Sequence, residues 1–293
     1  MSRADHKDIR IGTLARMTPD PAYIKSLIPH GFESFQLTVW DVLRGLDLAA
    51  CAPAALDAVG DQAVISSIGM FGNPLQKEEA ARDWETCIRA ARSFNCSMVC
   101  GFAGALEDRP LPESVPKYKE VWGHLARVAE GEGVRIAFEN CDMGGSWERP
   151  RWNIAHAPRA WEMLFNEVPS EAIGLEWEPC HQMASLIDPL PQLRKWVHRI
   201  YHIHGKDATV AWDIVRDQGI RSGVEYVWHR TPGFGDTNWT DVISILRMGG
   251  YMGSIDIEGW HDPVYRDELE ITGQVHALNY LKQCRGGAWI PPE

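Results

Sequence analysis

"GLEWEPCHQ", residues 174–182, carries Glu176, Glu178 and His181 at the end of an apolar run, with Pro179 between them. Side chains alternate along a strand, so Glu176 and Glu178 share one face. An interior face can hold such charges only if something compensates them. This run is one of eight of similar kind: "IRIGTL" (9–14), "SFQLT" (34–38), "AVISSI" (63–68), "SMVCGF" (97–102), "VRIAFEN" (134–140), "AIGLEWE" (172–178), "RIYHIHG" (199–205) and "GSIDIEG" (253–259). Helical stretches lie between them. "KEEAARDWETCIRAARSF" (77–94) repeats Ala80, Trp84, Ile88 and Ala91 at three- and four-residue spacing. In "DTNWTDVISILRMGG" (236–250), Asp236 or Thr237 reads as the N-cap and Gly249 as the stop. Eight strands alternating with helices predict an α/β fold, a closed (β/α)8 TIM barrel. The rival open sheet lacks support, because no GxGxxG follows the first strand.

A chain of 293 residues suits one such barrel, and no low-complexity linker divides it, so residues 1–293 read as a single domain. Two connections are long and lack helical period, 140–155 and 206–236. Both follow strands, which places them at the carboxyl-end face of a barrel, where active-site loops lie. The net charge of −11 argues against a nucleic-acid partner. No apolar run approaches membrane length and "MSRADHKDIR" lacks an apolar signal core, so no membrane partner is expected. Seven cysteines without a CxxC pair fit reduced thiols in a cytoplasmic protein. Homo-oligomerisation is left open.

Four ligand-type residues fall at the carboxyl ends of consecutive strands: Glu139 on the fifth, Glu178 on the sixth, His204 on the seventh and Glu258 on the eighth. Three converging carboxylates repel and raise one another's pKa. A divalent cation removes the conflict, and carboxylates with one imidazole suit Mn2+, with Mg2+ or Co2+ as alternatives. One layer deeper, the same alternation places Glu176 under Glu178, His202 under His204 and Asp256 under Glu258. Branched apolar residues normally fill that layer, so these three read as supports that orient the ligands. Lys206 follows His204 and Gly205 and is a candidate to stabilise an enolate oxygen; with Asp207 it also reads as a rim ion pair. Cys141 and Cys180 read as packed residues rather than ligands. Trp147, Trp152, Trp177, Trp212, Trp228 and Trp260 lie in or beside the rim segments, mostly as loop packing, although aromatic faces also stack on sugars.

"IAFEN", "GLEWEPCH", "YHIHGKD", "PGFGDTNW" and "GSIDIEG" resemble, in order and spacing, the motifs of the xylose-isomerase-like TIM-barrel superfamily (sugar phosphate isomerases and epimerases, ketose 3-epimerases among them). The resemblance runs from residue 9 onward and is most specific after residue 134. It implies that Glu139, Glu178, His204 and Glu258 bind one divalent metal. It further implies that Glu139 and Glu258 act as the acid/base pair on opposite faces of a small carbohydrate, contacted also by His181 and Arg230. One departure stands out. The family places aspartate in an Asp-Pro-x-His motif, whereas Glu178 precedes Pro179 and His181 here.

The expected chemistry is proton abstraction beside a carbonyl, giving an enediolate. Return of the proton to the same carbon's other face makes an epimerase, and return to the neighbouring carbon an isomerase. Loss of a β-substituent makes a lyase or dehydratase acting on an inosose or a 3-keto-glycoside. An endonuclease of the same superfamily needs a basic groove, which the net charge opposes; a sugar-binding barrel without metal would not need four ligands.

Overall fold

The computed structural model describes residues 7–288 and 290. Ten strands form: β1 (Arg10–Arg16), β2 (Ser34–Trp40), β3 (Val64–Phe71), β4 (Met98–Gly101), β5 (Arg135–Glu139), β6 (Ile173–Trp177), β7 (Ile200–Gly205), β8 (Asp207–Val210), β9 (Val227–Arg230) and β10 (Ser254–Ile257). Eight of them close into a barrel in the order β1-β10-β7-β6-β5-β4-β3-β2, and every pairing is parallel. The helices are α1 (Ala22–Leu27), α2 (Leu48–Val59), α3 (Glu78–Ala90), α4 (Val115–Glu132), α5 (Pro158–Glu167), α6 (Pro179–Ala184), α7 (Pro189–Trp196), α8 (Trp212–Gln218), α9 (Trp239–Met248) and α10 (Glu270–Arg285). This is a (β/α)8 TIM barrel.

The apolar core lies between barrel and helices. α3 turns Ala80, Trp84, Cys87 and Ile88 inward. Trp84 meets Trp122 of α4 edge-on at 4.9 Å between centroids, and Trp122 meets Phe138 of β5 at 4.5 Å. Among the described residues, Trp84, Trp122, Trp161, Trp177 and Trp239 are fully buried, so much of the tryptophan content is helix-on-barrel packing. All seven cysteines are free thiols.

Two sequence expectations are corrected. Residues 206–236 are not an aperiodic excursion: β8 and β9 pair antiparallel, with α8 between them. The N-cap of α9 is Asn238, whose Oδ1 accepts from Asp241 N at 3.1 Å. Asp236 is engaged elsewhere, accepting from Val210 N at 2.9 Å, and Thr237 N donates to Asp207 Oδ1 at 3.0 Å. Both expected caps are thus used to fasten the hairpin.

The amino end of the barrel is tied by Arg285 of α10. This buried guanidinium donates to Ile9 O at 2.6 Å and grips Glu33 at 2.6 and 3.0 Å. Burial favours neutral Glu33, but Arg285 outweighs it and lowers the pKa. A depressed folded pKa contributes stability above the unfolded-state value, and that stability is lost as pH falls through the folded one. Arg285→Met should therefore cost about 3 kcal/mol in urea unfolding at neutral pH. It should also flatten the loss of stability seen below about pH 4. An unchanged acid limb would remove Glu33 as its source.

Candidate metal centre

Glu139 is the last residue of β5 and His204 lies within β7, while Glu178 and Glu258 each follow their strand by one residue. Glu178 is at once the residue after β6 and the N-cap of α6, with Pro179 in the first turn. One ligand atom from each of the four lies within 4.8 Å of all the others, and all four residues are buried. The backbone between them is fixed by side-chain amides. Asn140 Oδ1 accepts from Glu178 N at 2.7 Å and its Nδ2 donates to Glu178 O at 2.9 Å. Asn153 Nδ2 donates to Glu139 O at 2.8 Å and to Cys141 O at 2.7 Å.

Several donor atoms are buried without a well-formed hydrogen bond: Oε2 of Glu178, Nδ1 of His204 and Oε2 of Glu258, while Glu178 Oε1 has only the His181 imidazole beside it, at 2.8 Å. His204 Nδ1 stands between the two outer carboxyls, 3.4 Å from Glu139 Oε1 and 3.3 Å from Glu258 Oε2. Three oxygen donors and one imidazole nitrogen, buried and otherwise poorly matched, fit a hard divalent ion. The electrostatics are uneven. Burial and the Glu178 charge push Glu139 well above the usual carboxylate range. Burial acts the same way on Glu258, but Lys206 and His204 outweigh it and hold it well below that range. Glu178 is likewise lowered, by Lys206 and His181 against burial.

Beneath this centre the barrel interior is polar. His204 Nε2 lies 2.8 Å from Gln36 Oε1 and 3.0 Å from Glu176 Oε1, both acceptors, so this nitrogen carries the hydrogen. Gln36 Nε2 donates to Glu176 Oε1 at 2.5 Å and to Ser67 Oγ at 2.9 Å. His202 bridges two acids, with Nδ1 2.9 Å from Glu176 Oε1 and Nε2 2.9 Å from Asp256 Oδ2. Ser34 and Ser66 donate to the two oxygens of Asp256, each at 2.5 Å. Gly12 makes room for this: a Cβ there would meet Ser34 O at 2.1 Å and Asp256 Oδ1 at 2.2 Å. Burial disfavours charge on Glu176 and His202 alike. The imidazoles of His204 and His202 nevertheless bring Glu176 down to about 2, and Asp256 and Glu176 raise His202.

A cavity of about 800 Å3 opens over the centre, bounded near the ligands by His181, Lys206, His229 and His261. Lys206 joins β7 to β8 and is buried, its Nζ 3.0 Å from Glu258 Oε1. Its partner is thus Glu258; Asp207 turns away to the amides of Ala208 and Thr237 and to Trp239 Nε1. His181 Nε2 lies 2.8 Å from Glu178 Oε1. His261 Nε2 lies 3.1 Å from Glu258 Oε1. Burial, with the Lys206 charge, pushes His229 down to about 3, leaving a neutral imidazole. Arg230 departs from expectation. It is absent from the cavity wall, and its Nε donates to Asp262 Oδ2 at 3.1 Å. Strand alternation on β9 gives the wall to His229 instead. Asp262 also accepts from Thr231 N, Val264 N and Tyr265 N, so the pair fastens two loops.

Three other ligand-type groups cluster: Cys180–His181–His229, Cys141–Asp142–His181 and Cys100–Glu176–His202. Each depends on a buried thiol. Burial and the neighbouring carboxylates Glu178, Glu139 and Glu176, respectively, push Cys180, Cys141 and Cys100 well above the usual thiol value, which disfavours thiolate ligation. Gln36, Ser34, Ser67, His229 and His261 join the site although no sequence pattern points to them there, and Asn140 joins it from within the motif "IAFEN". A glutamine inside the apolar run "SFQLT" is the available signal for the first.

Residues 26–284 match the family described as xylose isomerase-like TIM barrel, and the chain belongs to that family. It is 28% identical over 166 residues to an inosose dehydratase of Clostridium perfringens, covering 54% of this chain and 51% of the relative. The match thus spans about half the length of that relative. A xylose isomerase domain protein from Planctomyces limnophilus superposes with a TM-score of 0.72 at 14% identity, covering 96% of this chain and 99% of the other. The apo 3-keto-D-glucoside 4-epimerase of E. coli superposes with a TM-score of 0.70 at 14% identity, covering 94% and 100%. No helix among the described residues is long and apolar enough to cross a membrane.

The polar layer generates its own prediction. His202→Leu removes the imidazole between Glu176 and Asp256 and should cost about 3–5 kcal/mol in urea unfolding with chelator present. A loss under about 1 kcal/mol would show that the layer does not depend on an imidazolium.

Proposed function

We propose that this chain is a divalent-metal-dependent sugar isomerase or epimerase, working through an enediolate. One observation carries the reading: four buried donor residues converge within 4.8 Å, and three of them hold a donor atom without a well-formed hydrogen bond. Glu139, Glu178, His204 and Glu258 would hold one ion, Mn2+ by preference, with Mg2+ and Co2+ as alternatives. When bound, such an ion supplies Lewis acidity that makes the C–H bond beside a carbonyl removable. A cation also answers the repulsion among three carboxylates that otherwise forces Glu139 to hold a proton.

The protein's own residues divide the remaining work. Glu258, held as a carboxylate by Lys206 and His204, takes the proton from one side. Glu139, the other ligand carboxyl on the cavity wall, would return one from the opposite side. Lys206 and His181 place donors at the cavity wall to receive developing oxyanion charge. The Gln36–Glu176 pair keeps the hydrogen on His204 Nε2, so that Nδ1 presents its lone pair. A small carbohydrate is the proposed partner, and the net charge of −11 speaks against a nucleic acid.

A second reading, dehydration or lyase cleavage of a keto-sugar, is favoured by the named activity of the dehydratase relatives and by His261 beside Glu258. The His261 side chain there would stand beside a departing hydroxyl. Incubating metal-loaded protein with ketoses, inososes and 3-keto-glucosides in D2O separates the two by product. Glu258→Gln and Glu139→Gln should each lower turnover by about 10²–10⁴. For an epimerase, each variant should still exchange substrate hydrogen with solvent from its surviving side. For a lyase, only the variant lacking the abstracting base should lose exchange. Undiminished turnover in both would end the acid/base assignment.

A further inference from the structure

An aromatic wall leads outward from the centre. The His204 ring lies 6.1 Å from Phe71, Phe71 lies 5.3 Å from Phe102, and Phe102 meets Trp40 edge-on at 6.2 Å. Trp40 then stacks on Trp152 at 5.4 Å with planes 22° apart. Phe71, Phe102 and Trp40 all line the cavity. Trp40 ends β2 and is 57% exposed, an apolar face open at the mouth.

This outer end is built against local preference. Trp152 has φ +60° and Met143 beside it +52°, conformations that bulky side chains rarely adopt, whereas Asp41 next to Trp40, at +67°, is of a residue type that tolerates it. Lys77 clamps the group, with Nζ 2.6 Å from Asp41 Oδ1 and 5.3 Å above the Trp152 ring. Trp152 N donates to Glu107 Oε1 at 3.2 Å. Strained backbone of this kind concentrates around ligand sites, and while Trp152 packs against the Phe71–Phe102 cluster, Trp40 keeps a face open to the cavity.

We infer that the site accepts a two-ring glycoside, the sugar ring at the four ligands and the second ring on Trp40. The inference rests on the sugar-handling reading above and deepens it. Trp40 and His204 line the same cavity, with the rings of Phe71 and Phe102 between them. The cavity of about 800 Å3 lies in the range that encloses a ligand well beyond one hexose. The recognised chemistry is a ring with an apolar face, either the C–H face of a second sugar or an aryl aglycone. Trp260, 43% exposed, lines the same cavity and offers a second indole. Arg16 and Asp142, also on the wall, supply polar partners for ring hydroxyls.

The test compares glucose, cellobiose and phenyl β-glucoside as unreactive probes. Each is titrated into full-length, Mg2+-loaded protein by saturation-transfer NMR. One or both two-ring probes should bind about tenfold more tightly than glucose, with transfer to the second ring, and the choice between them identifies a sugar or an aryl group as the preferred occupant. Trp40→Ala should erase that advantage, and Trp40→Phe should restore part of it. Equal affinity for glucose and both two-ring probes would overturn the inference while leaving the sugar reading intact. An advantage that persists in Trp40→Ala would overturn the placement of the second ring. Failure of all three probes to bind would overturn this inference, while the sugar reading itself stands or falls with the ketose and inosose panel.

Discussion

Burial of like charge is the constraint on which the rest depends. One donor atom from each of three carboxylates and an imidazole lies within 4.8 Å of the others, and all four residues are buried, with Glu139, His204 and Glu258 at the floor of the cavity. Such a group is stable only if protons or a cation offset it, and if every supporting backbone and side-chain dipole is fixed. The chain meets the second condition thoroughly. Asn140 pins both backbone polar groups of Glu178, Asn153 pins the carbonyls flanking Asn140, and Gln36 orients His204.

The same constraint explains why the barrel is not filled in the usual way. Aliphatic residues inside β2, β3, β6, β7 and β10 would leave His204 Nε2 without an acceptor. Instead Gln36, Ser67, Glu176, His202 and Asp256 form one hydrogen-bonded layer. Stability is recovered outside the barrel, where tryptophans seal the helices against the strands. The outer loops are then free to carry the cavity wall, and the β8–β9 hairpin delivers His229 to it.

Much of this is legible in the amino-acid sequence. Period-two alternation sets Glu176 and Glu178 on one face, and the same rule pairs His202 with His204 and Asp256 with Glu258. The family motifs mark the same residues. Other features are hidden for physical reasons. Gln36 and Ser34 act across the barrel on residues more than 160 positions away, a distance that no local pattern encodes. The hairpin strands are four residues each and half-buried, too short for period to show. Arg230 carries the charge expected of a substrate contact, yet Asp262 has the stronger claim on it. Asp236 and Thr237 carry cap chemistry, but the hairpin uses both.

The most direct test is anomalous diffraction from crystals grown with Mn2+, since it locates the ion without reference to turnover. One ion per chain is expected, with His204 Nδ1 and oxygens of Glu139, Glu178 and Glu258 each at about 2.0–2.3 Å. An ion bound instead by Cys180, His181 and His229, or no ordered ion among the four residues at saturating Mn2+, would contradict the four-residue metal centre.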